Sequence, residues 1–229
     1  MMDFVTDFAD QAVVLPVVAV VLALLALQGW YRGAVAWLVA VAGTFGMVFI
    51  LKVGFLACAP VFGPVGLSSP SGHAAAATVL SGGLAALMTA RTAIVLAAAL
   101  LAGAVIGTTR LALGVHSWPE VVMAIAIGLV GVFALTRLAG TRPALRPRPI
   151  MAGVVFMVVL LHGARLPAEV AIRSLAHRIA GFVPICREPT MSGSLAGKMM
   201  LVWDGQSGWR SEEPLAADEN PCPADQTLP

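Results

Sequence analysis

Six apolar runs dominate this sequence, at residues 12–28, 33–55, 71–90, 92–111, 117–136 and 150–163. A helix needs about 20 apolar residues to cross a bilayer, and all but the short last run are close to that length. In lipid, a helix is one of the few structures that can pair all of its own backbone polar groups. The runs therefore predict an all-α fold, a polytopic bundle of six transmembrane helices.

Composition agrees with a membrane protein. Charged residues make up 11% of the chain, whereas a soluble domain carries about a quarter. The formal net charge of +2 is too small to indicate a nucleic-acid partner. The three cysteines are too few for a disulfide framework, and they lack the spacing of a metal site.

Arginine placement predicts the orientation of this bundle. Arg32 follows the first run, Arg91 separates the third from the fourth, and four arginines lie between the fifth and the sixth. These loops share one side, which the positive-inside rule makes cytoplasmic. Both termini are then expected outside. Because no basic residue precedes the first run, we expect that run to be retained rather than cleaved as a signal peptide.

The sequence changes character after about residue 165, so we predict a transmembrane domain at 1–165 and an extramembrane C-terminal segment at 166–229. Glu169, Arg173 and His177 share one helical stripe, which predicts an amphipathic helix on the outer surface or an extension of the last span. A glycine-containing turn before Trp209 predicts a short hairpin. The remaining residues are expected to form an exposed tail.

Ionisable residues are rare within the apolar region. Apart from Cys and Tyr, residues 12–136 contain seven: Arg32, Lys52, His73, Arg91, Arg110, His116 and Glu120. Two of these are the turn arginines described above, and the other five map to the outer ends of runs two to five. A charge at membrane depth costs about 2.5–3.5 kcal/mol even on lenient scales. Five such residues at one face therefore predict a functional site.

The residue types at this face suit phosphate. Lys52 and Arg110 supply fixed positive charge and donors for phosphate oxygens. Ser71 is a candidate N-cap for the third run. At that helix start the N–H groups of Ser71, Gly72 and His73 would point at an anion, and Gly72 has no side chain in the way. Two histidines and a carboxylate complete the set, enough for a nucleophile, a general acid and an orienting group.

The same residues carry a family resemblance. They occur as Lys52-x6-Ala59-Pro60, then Pro70-Ser71-Gly72-His73, then Thr109-Arg110-x5-His116-x3-Glu120. In this order the chain resembles the type 2 phosphatidic acid phosphatase (PAP2) superfamily, in its membrane-integral bacterial lipid phosphatase branch. The family motifs are Lys-x6-Arg-Pro, Pro-Ser-Gly-His and Ser-Arg-x5-His-x3-Asp. This chain departs from them at Ala59, Thr109 and Glu120.

The resemblance implies a role for each matching residue. His116 would be the nucleophile that becomes a phosphohistidine, Glu120 would orient it, and His73 would be the general acid. The phosphate would be bound by Lys52, Ser71, Gly72 and Arg110. The resemblance implies no cofactor and no metal, because fixed positive groups replace one.

Taken singly, these residues also have structural interpretations. Ser117 and Glu120 match a capping box. Lys52 and Arg110 suit anchoring at the membrane interface, and His73 could be a hydrogen-bonded interface residue. Their joint pattern favours the site over these separate explanations.

The resulting hypothesis is an enzyme that hydrolyses a lipid phosphomonoester or diphosphate, with a lipid phosphotransferase and a non-catalytic lipid-phosphate binding or transport module as alternatives. Candidate substrates are an isoprenoid diphosphate, phosphatidylglycerophosphate, phosphatidic acid and a lipid A phosphate. We expect location in the bacterial inner membrane, with the site and both termini facing the periplasm. The partners are the membrane and a lipid phosphate, without nucleic acid, and the sequence leaves the oligomeric state open.

The missing family arginine raises a further question. Because Ala59 leaves the site with less positive charge, we expect another cation to compensate. Arg165 is favoured as this compensating cation over Arg173 and Arg178, which are otherwise expected to be surface charges. The alternative is that Ala59 makes room for a bulkier headgroup.

The cysteines predict one disulfide. An exterior tail lies in an oxidising compartment, so Cys186 and Cys222 are expected to pair. Cys58 lies within an apolar run and is expected to stay a small buried residue.

Overall fold

A computed structural model describes residues 2–58, 69–143, 145–164, 166, 168–180, 200–203 and 209–212. Contacts divide the chain into two units, Met1–Arg187 and Glu188–Pro229. In the first unit every described element is a helix. These are α1 (Met2–Asp7), α2 (Gln11–Leu27), α3 (Tyr31–Ala57), α4 (Gly72–Met88), α5 (Thr92–Ala112), α6 (Trp118–Ala139), α7 (Pro147–Leu161) and α8 (Ala168–Ala180).

The six apolar runs correspond to α2 through α7, and each helix end lies within about three residues of its run. By length and composition, four helical segments can cross a membrane: Phe4–Leu27, Tyr31–Ala57, Thr92–Ala112 and Trp118–Ala139. Helices α4 and α7 are apolar but shorter. The chain is thus a helical membrane protein, whereas six complete spans remain a prediction.

Helix α4 is the centre of the first unit and packs against α3, α5 and α6. Small residues permit its close contact with α6. A Cβ added at Gly128 would lie 3.0 Å from the carbonyl oxygen of Ala75 and 2.6 Å from Cβ of Thr78. Because apolar area drives little association in lipid, such close backbone approach is how helices gain packing energy there. This packing holds the end of α3, the start of α4 and the end of α5 close to the start of α6.

Helix α8 forms where the amphipathic pattern predicts a helix, and it packs against α3. Ala176 is buried and Ile172 half-buried, while Arg173 and Arg178 are exposed. By its contacts α8 belongs to the first unit, which runs to Arg187. The division at 165 between a transmembrane domain and an extramembrane segment stays a prediction.

The second unit contains the predicted hairpin. Strands β1 (Met200–Trp203) and β2 (Trp209–Glu212) pair antiparallel, with Trp203 opposite Trp209 and Met200 opposite Glu212. The all-α prediction therefore holds for the described part of the first unit, and the second unit adds two short strands.

The cysteines differ from expectation. Cys58 ends α3, is half-buried and is disulfide-bonded, so the prediction that it stays an unpaired apolar residue is wrong. The predicted partners Cys186 and Cys222 lie outside the described residues. Since the chain has three cysteines, a disulfide at Cys58 and one between Cys186 and Cys222 exclude each other within one molecule. The apolar run suggested a cysteine enclosed by the membrane, whereas Cys58 is the C-cap that follows the last residue of α3 and is half-buried.

Candidate active site

The predicted site residues meet around one cavity of about 640 Å³. Its lining includes Lys52 near the end of α3, Gly72 and His73 at the start of α4, Arg110 in the last turn of α5, and His116 in the following turn. Glu120, in the first turn of α6, contacts His116 from behind. Residues far apart in sequence are brought together because the C-terminal ends of α3 and α5 meet the N-terminal ends of α4 and α6 here.

His116 and Glu120 form the central contact of the site. Nδ1 of His116 lies 2.9 Å from Oε2 of Glu120, and the two side chains are 8% and 2% exposed. An ionised carboxylate can only accept, so Nδ1 carries the proton. The other ring nitrogen, Nε2, then keeps its lone pair. That arrangement suits a nucleophile or a base.

Glu120 is itself held by backbone donors. Its Oε2 also accepts a hydrogen bond from the backbone N–H of Ser117 at 3.0 Å, and its Oε1 accepts from that of Ser69 at 3.0 Å. Capping α6 and orienting His116 are therefore not alternatives, because one carboxylate does both. The Ser69 bond also connects the segment before α4 to the start of α6.

His116 lies outside the helical spans, and its environment favours the neutral imidazole. Burial lowers the pKa of His116 below its ordinary value. Glu120 opposes this shift through its hydrogen bond and its charge, whereas the charges of Arg110 and Lys52 add to it. A neutral ring at near-neutral pH has the free lone pair that attack on phosphorus requires.

The start of α4 has the predicted N-cap, but one of its backbone donors is used differently from the expectation. Ser71 is fully buried and caps the helix, since its side chain accepts a hydrogen bond from the N–H of Ala74 at 3.4 Å. Its own N–H points to the backbone oxygen of Glu120 at 3.4 Å rather than to an anion. Ser71 is not among the described residues that line the cavity. The donors that remain for an anion are the N–H groups of Gly72 and His73, which have no partner within the helix.

Space above Gly72 belongs to the cavity. A Cβ added there would meet only Val48, at 4.0 Å. Glycine is therefore not required by neighbouring protein atoms. Its value is that a ligand can approach the helix start closely.

Two cations line the same end of the cavity. Lys52 is 6% exposed and Arg110 is half-buried. Positive groups gathered within a partly enclosed cavity raise the local concentration of anions. The arginine side chain can also bind two phosphate oxygens at once.

The rest of the cavity is apolar. Helix α2 contributes Leu15 and Val18, and α3 contributes residues from Leu38 to Phe49. From Leu38 to Lys52, the lining follows α3 for about 21 Å at 1.5 Å per residue. The cavity thus joins a cationic end to a long apolar groove within the helical bundle.

The predicted compensating cation is not found among the described residues. Ala59 and Arg165 lie outside them. Arg173 and Arg178 are exposed on α8, and neither is among the described residues that line the cavity. Compensation by Arg165 stays a prediction.

Asp10 is a cavity residue that the sequence interpretation omits. Its carboxylate caps α2 by accepting from the N–H of Ala12 at 2.9 Å, and it lies 3.9 Å from Nε2 of His73. An aspartate directly before an apolar run is a recognisable N-cap signal. Nothing in the sequence pattern, however, brings it to His73.

Thr109, which stands where the family has serine, faces away from this chemistry. It is buried, and its hydroxyl lies 2.9 Å from that of Thr6 in α1. It therefore attaches the N-terminal helix to α5, next to Arg110.

The described residues contain no group of three or more His, Cys, Asp or Glu that would hold a metal ion.

Comparison with known families bears on this geometry. Residues 33–144 match the family model of the PAP2 superfamily. The match covers just under half of the chain and includes every residue of the site from Lys52 to Glu120. Comparison with curated proteins and with solved structures gave no significant match.

The electrostatics of His116 can be tested without substrate. Because burial outweighs Glu120, we expect His116 to titrate below the ordinary histidine pKa of about 6.5. Glu120→Gln removes the charge that opposes the shift, so titration should move to still lower pH. The pKa of His116 in the wild-type protein and in Glu120→Gln is measured by NMR of ¹⁵N-histidine-labelled protein. The His116 signal is assigned with a His116→Asn variant. Asp7→Asn is the control, since Asp7 is not among the described cavity residues. Titration of His116 above 6.5 would show that the carboxylate dominates instead.

Proposed function

We propose that this protein is a PAP2-type phosphatase that hydrolyses a phosphomonoester or diphosphate of a membrane lipid through a phosphohistidine at His116. The cavity carries this proposal, because its cationic end suits a phosphate and its apolar groove suits a lipid chain. The family match to residues 33–144 supports the reaction type. The apolar lining of the groove favours a lipid substrate over a small soluble phosphate ester.

The proposed reaction begins with attack by Nε2 of His116 on phosphorus. The nitrogen–phosphorus bond forms as the bond to the lipid oxygen breaks, and that oxygen takes a proton from His73. Water then attacks the phosphohistidine, giving its proton back to His73 and releasing inorganic phosphate. General acid catalysis of this kind is worth about 10²–10⁴-fold.

The negative charge of the transition state would be stabilised by fixed groups. Lys52, Arg110 and the N–H groups of Gly72 and His73 surround the place where the phosphoryl oxygens would lie. These groups supply the positive charge that a metal ion supplies in other phosphatases. We therefore propose turnover without an added metal.

We expect His116→Ala to abolish turnover, since no nucleophile replaces the imidazole. His162→Ala is the control, because His162 contacts Phe4 and Phe8 rather than the cavity. Phosphate release from phosphatidic acid, phosphatidylglycerophosphate and prenyl diphosphates is measured with purified protein in detergent containing a chelator. Protein quenched with alkaline detergent should carry an acid-labile, base-stable phosphoryl group that the His116→Ala variant lacks.

Three results would contradict this proposal in different ways. If His116→Ala kept more than about a tenth of the activity, the activation barrier would have risen by less than about 1.4 kcal/mol. That result would exclude His116 as the nucleophile. A phosphoenzyme that passes its phosphoryl group to an added alcohol acceptor, and releases no inorganic phosphate to water, would identify a phosphotransferase. Binding of lipid phosphate without any phosphoenzyme would identify a binding or transport module.

We further propose that the site faces the periplasm from a bacterial inner membrane. This proposal rests on the arginines of the loops that face away from the site. Arg32 and Arg142 cap helix ends there, by donating to the carbonyl oxygens of Leu138 and Leu87. Positive charge concentrates on cytoplasmic loops, so the opposite end of the bundle, which carries His116, is expected outside.

Reporter fusions test this orientation. Alkaline phosphatase fused after Pro229 should be active, because it folds only in an oxidising exterior, and green fluorescent protein at the same place should be dark. Fusions after Arg142 are the matched control and should behave in the opposite way. Bright fluorescence of the protein fused after Pro229, together with an active phosphatase reporter after Arg142, would show the opposite orientation.

A further inference from the structure

One face of α3 forms a continuous apolar wall of the cavity. Its lining residues are separated by three or four positions, the spacing of a single helical face. They are Leu38, Val41, Ala42, Phe45, Val48 and Phe49. Lys52 continues the same face at the phosphate end. The groove therefore leads along α3 directly away from the cations.

The far end of this groove is closed where α2 meets α3. The indole N–H of Trp37 donates to the carbonyl oxygen of Val18 at 3.2 Å, and Trp37 is fully buried. Beyond this contact, Val21 and Leu25 of α2 are fully buried in the same core cluster as Trp37. Among the described residues, none of α2 after Val18 and none of α3 before Leu38 lines the cavity. The groove thus has a defined end.

The depth of the groove matches one leaflet of a bilayer. From Lys52 to Leu38 it follows α3 for about 21 Å. A bilayer is about 40–45 Å thick with its headgroup regions included, so one leaflet measures about 20–22 Å. A lipid whose phosphate lies at Lys52 would therefore extend its chain toward the middle of the bilayer.

The side of the groove is open. Leu15, Leu38 and Phe49 all line it, and all three are exposed. In a helical membrane protein, exposed apolar side chains at this depth meet lipid rather than water. The chain of a lipid can therefore occupy the groove without leaving an apolar environment.

Alanine at position 42 interrupts an otherwise bulky wall. The other apolar residues that α3 contributes to the described lining are Leu, Val or Phe. Ala42 is exposed, so burial among neighbouring side chains does not account for its small size. It lies ten residues from Lys52, about 15 Å along the helix. Half of the hydrocarbon core is also about 15 Å, so the chain of a full-length lipid would pass Ala42, whereas a short chain would end before it.

We propose that Ala42 determines the chain length of the substrate, because it leaves room for a hydrocarbon chain that extends to the closed end of the groove. This inference rests on the proposed phosphatase function and adds a substrate class to it, lipids whose chain spans a whole leaflet. A larger side chain at this position would block the part of the groove beyond it. The cationic end, about 15 Å away, would keep its shape.

Enlarging the side chain at position 42 tests this inference. Ala42→Phe should obstruct the groove, and Ala42→Leu is a second variant with a smaller side chain. Val39→Phe is the matched control, because Val39 is exposed on α3 but is not among the described residues that line the cavity. The probes share a headgroup and differ in chain length. They are dihexanoyl and dioleoyl phosphatidic acid, and geranyl and geranylgeranyl diphosphate.

The measured quantity is the kcat/KM for the long-chain probe divided by that for the short-chain probe. We expect Ala42→Phe to lower this ratio about tenfold or more, since a change of even one methylene in an apolar pocket can alter discrimination that far. Ala42→Leu should lower it less, and Val39→Phe should keep the wild-type ratio. Orthovanadate has no chain, so it should inhibit all four proteins equally.

Two results would overturn this inference and leave the phosphatase proposal standing. An unchanged ratio in both Ala42→Phe and Ala42→Leu would show that the chain does not pass Ala42. An equal fall for short and long probes, with weaker vanadate inhibition in both variants, would assign Ala42 a structural role. If the wild-type protein released no phosphate from any probe, the phosphatase proposal itself would fail, and this inference with it.

Discussion

The buried carboxylate of Glu120 connects the parts of the site. It is 2% exposed and accepts from His116, Ser117 and Ser69, so one side chain orients the imidazole of His116, caps α6 and fixes the segment that leads into α4. Burying an ion is costly unless it is fully hydrogen-bonded, and three donors meet that requirement here. Removing the carboxylate would leave the N–H groups of Ser69 and Ser117 without this acceptor. His116 and the segment that leads to His73 would then no longer be joined through one side chain.

A second constraint is the cost of charge in a bilayer. It confines ionisable residues to helix ends, and the close packing of α4 against α3, α5 and α6 brings four of those ends together. The cations at one end of an apolar groove are the basis on which we propose a substrate with a phosphate head and a hydrocarbon chain.

Much of this arrangement is predictable from the sequence because lipid restricts the choices. Helix ends follow from apolar runs, and Lys52, His73, Arg110, His116 and Glu120 stand out because charge is rare between them. The contacts that local pattern does not encode are the ones missed. The N–H of Ser71 is used by the backbone of Glu120, and Asp10 reaches His73 only because α1 and α2 fold against the bundle. The grouping of α8 with the helices likewise depends on packing against α3.

The central claim is that these side chains form one phosphate site with His116 as the nucleophile. A structure of the protein with bound orthovanadate, which mimics the five-coordinate phosphoryl state, tests it most directly. We expect vanadium bonded to Nε2 of His116, with vanadate oxygens contacting Lys52, Arg110 and the N–H groups of Gly72 and His73. Vanadium bonded to His73, or vanadate bound away from the cavity, would contradict it.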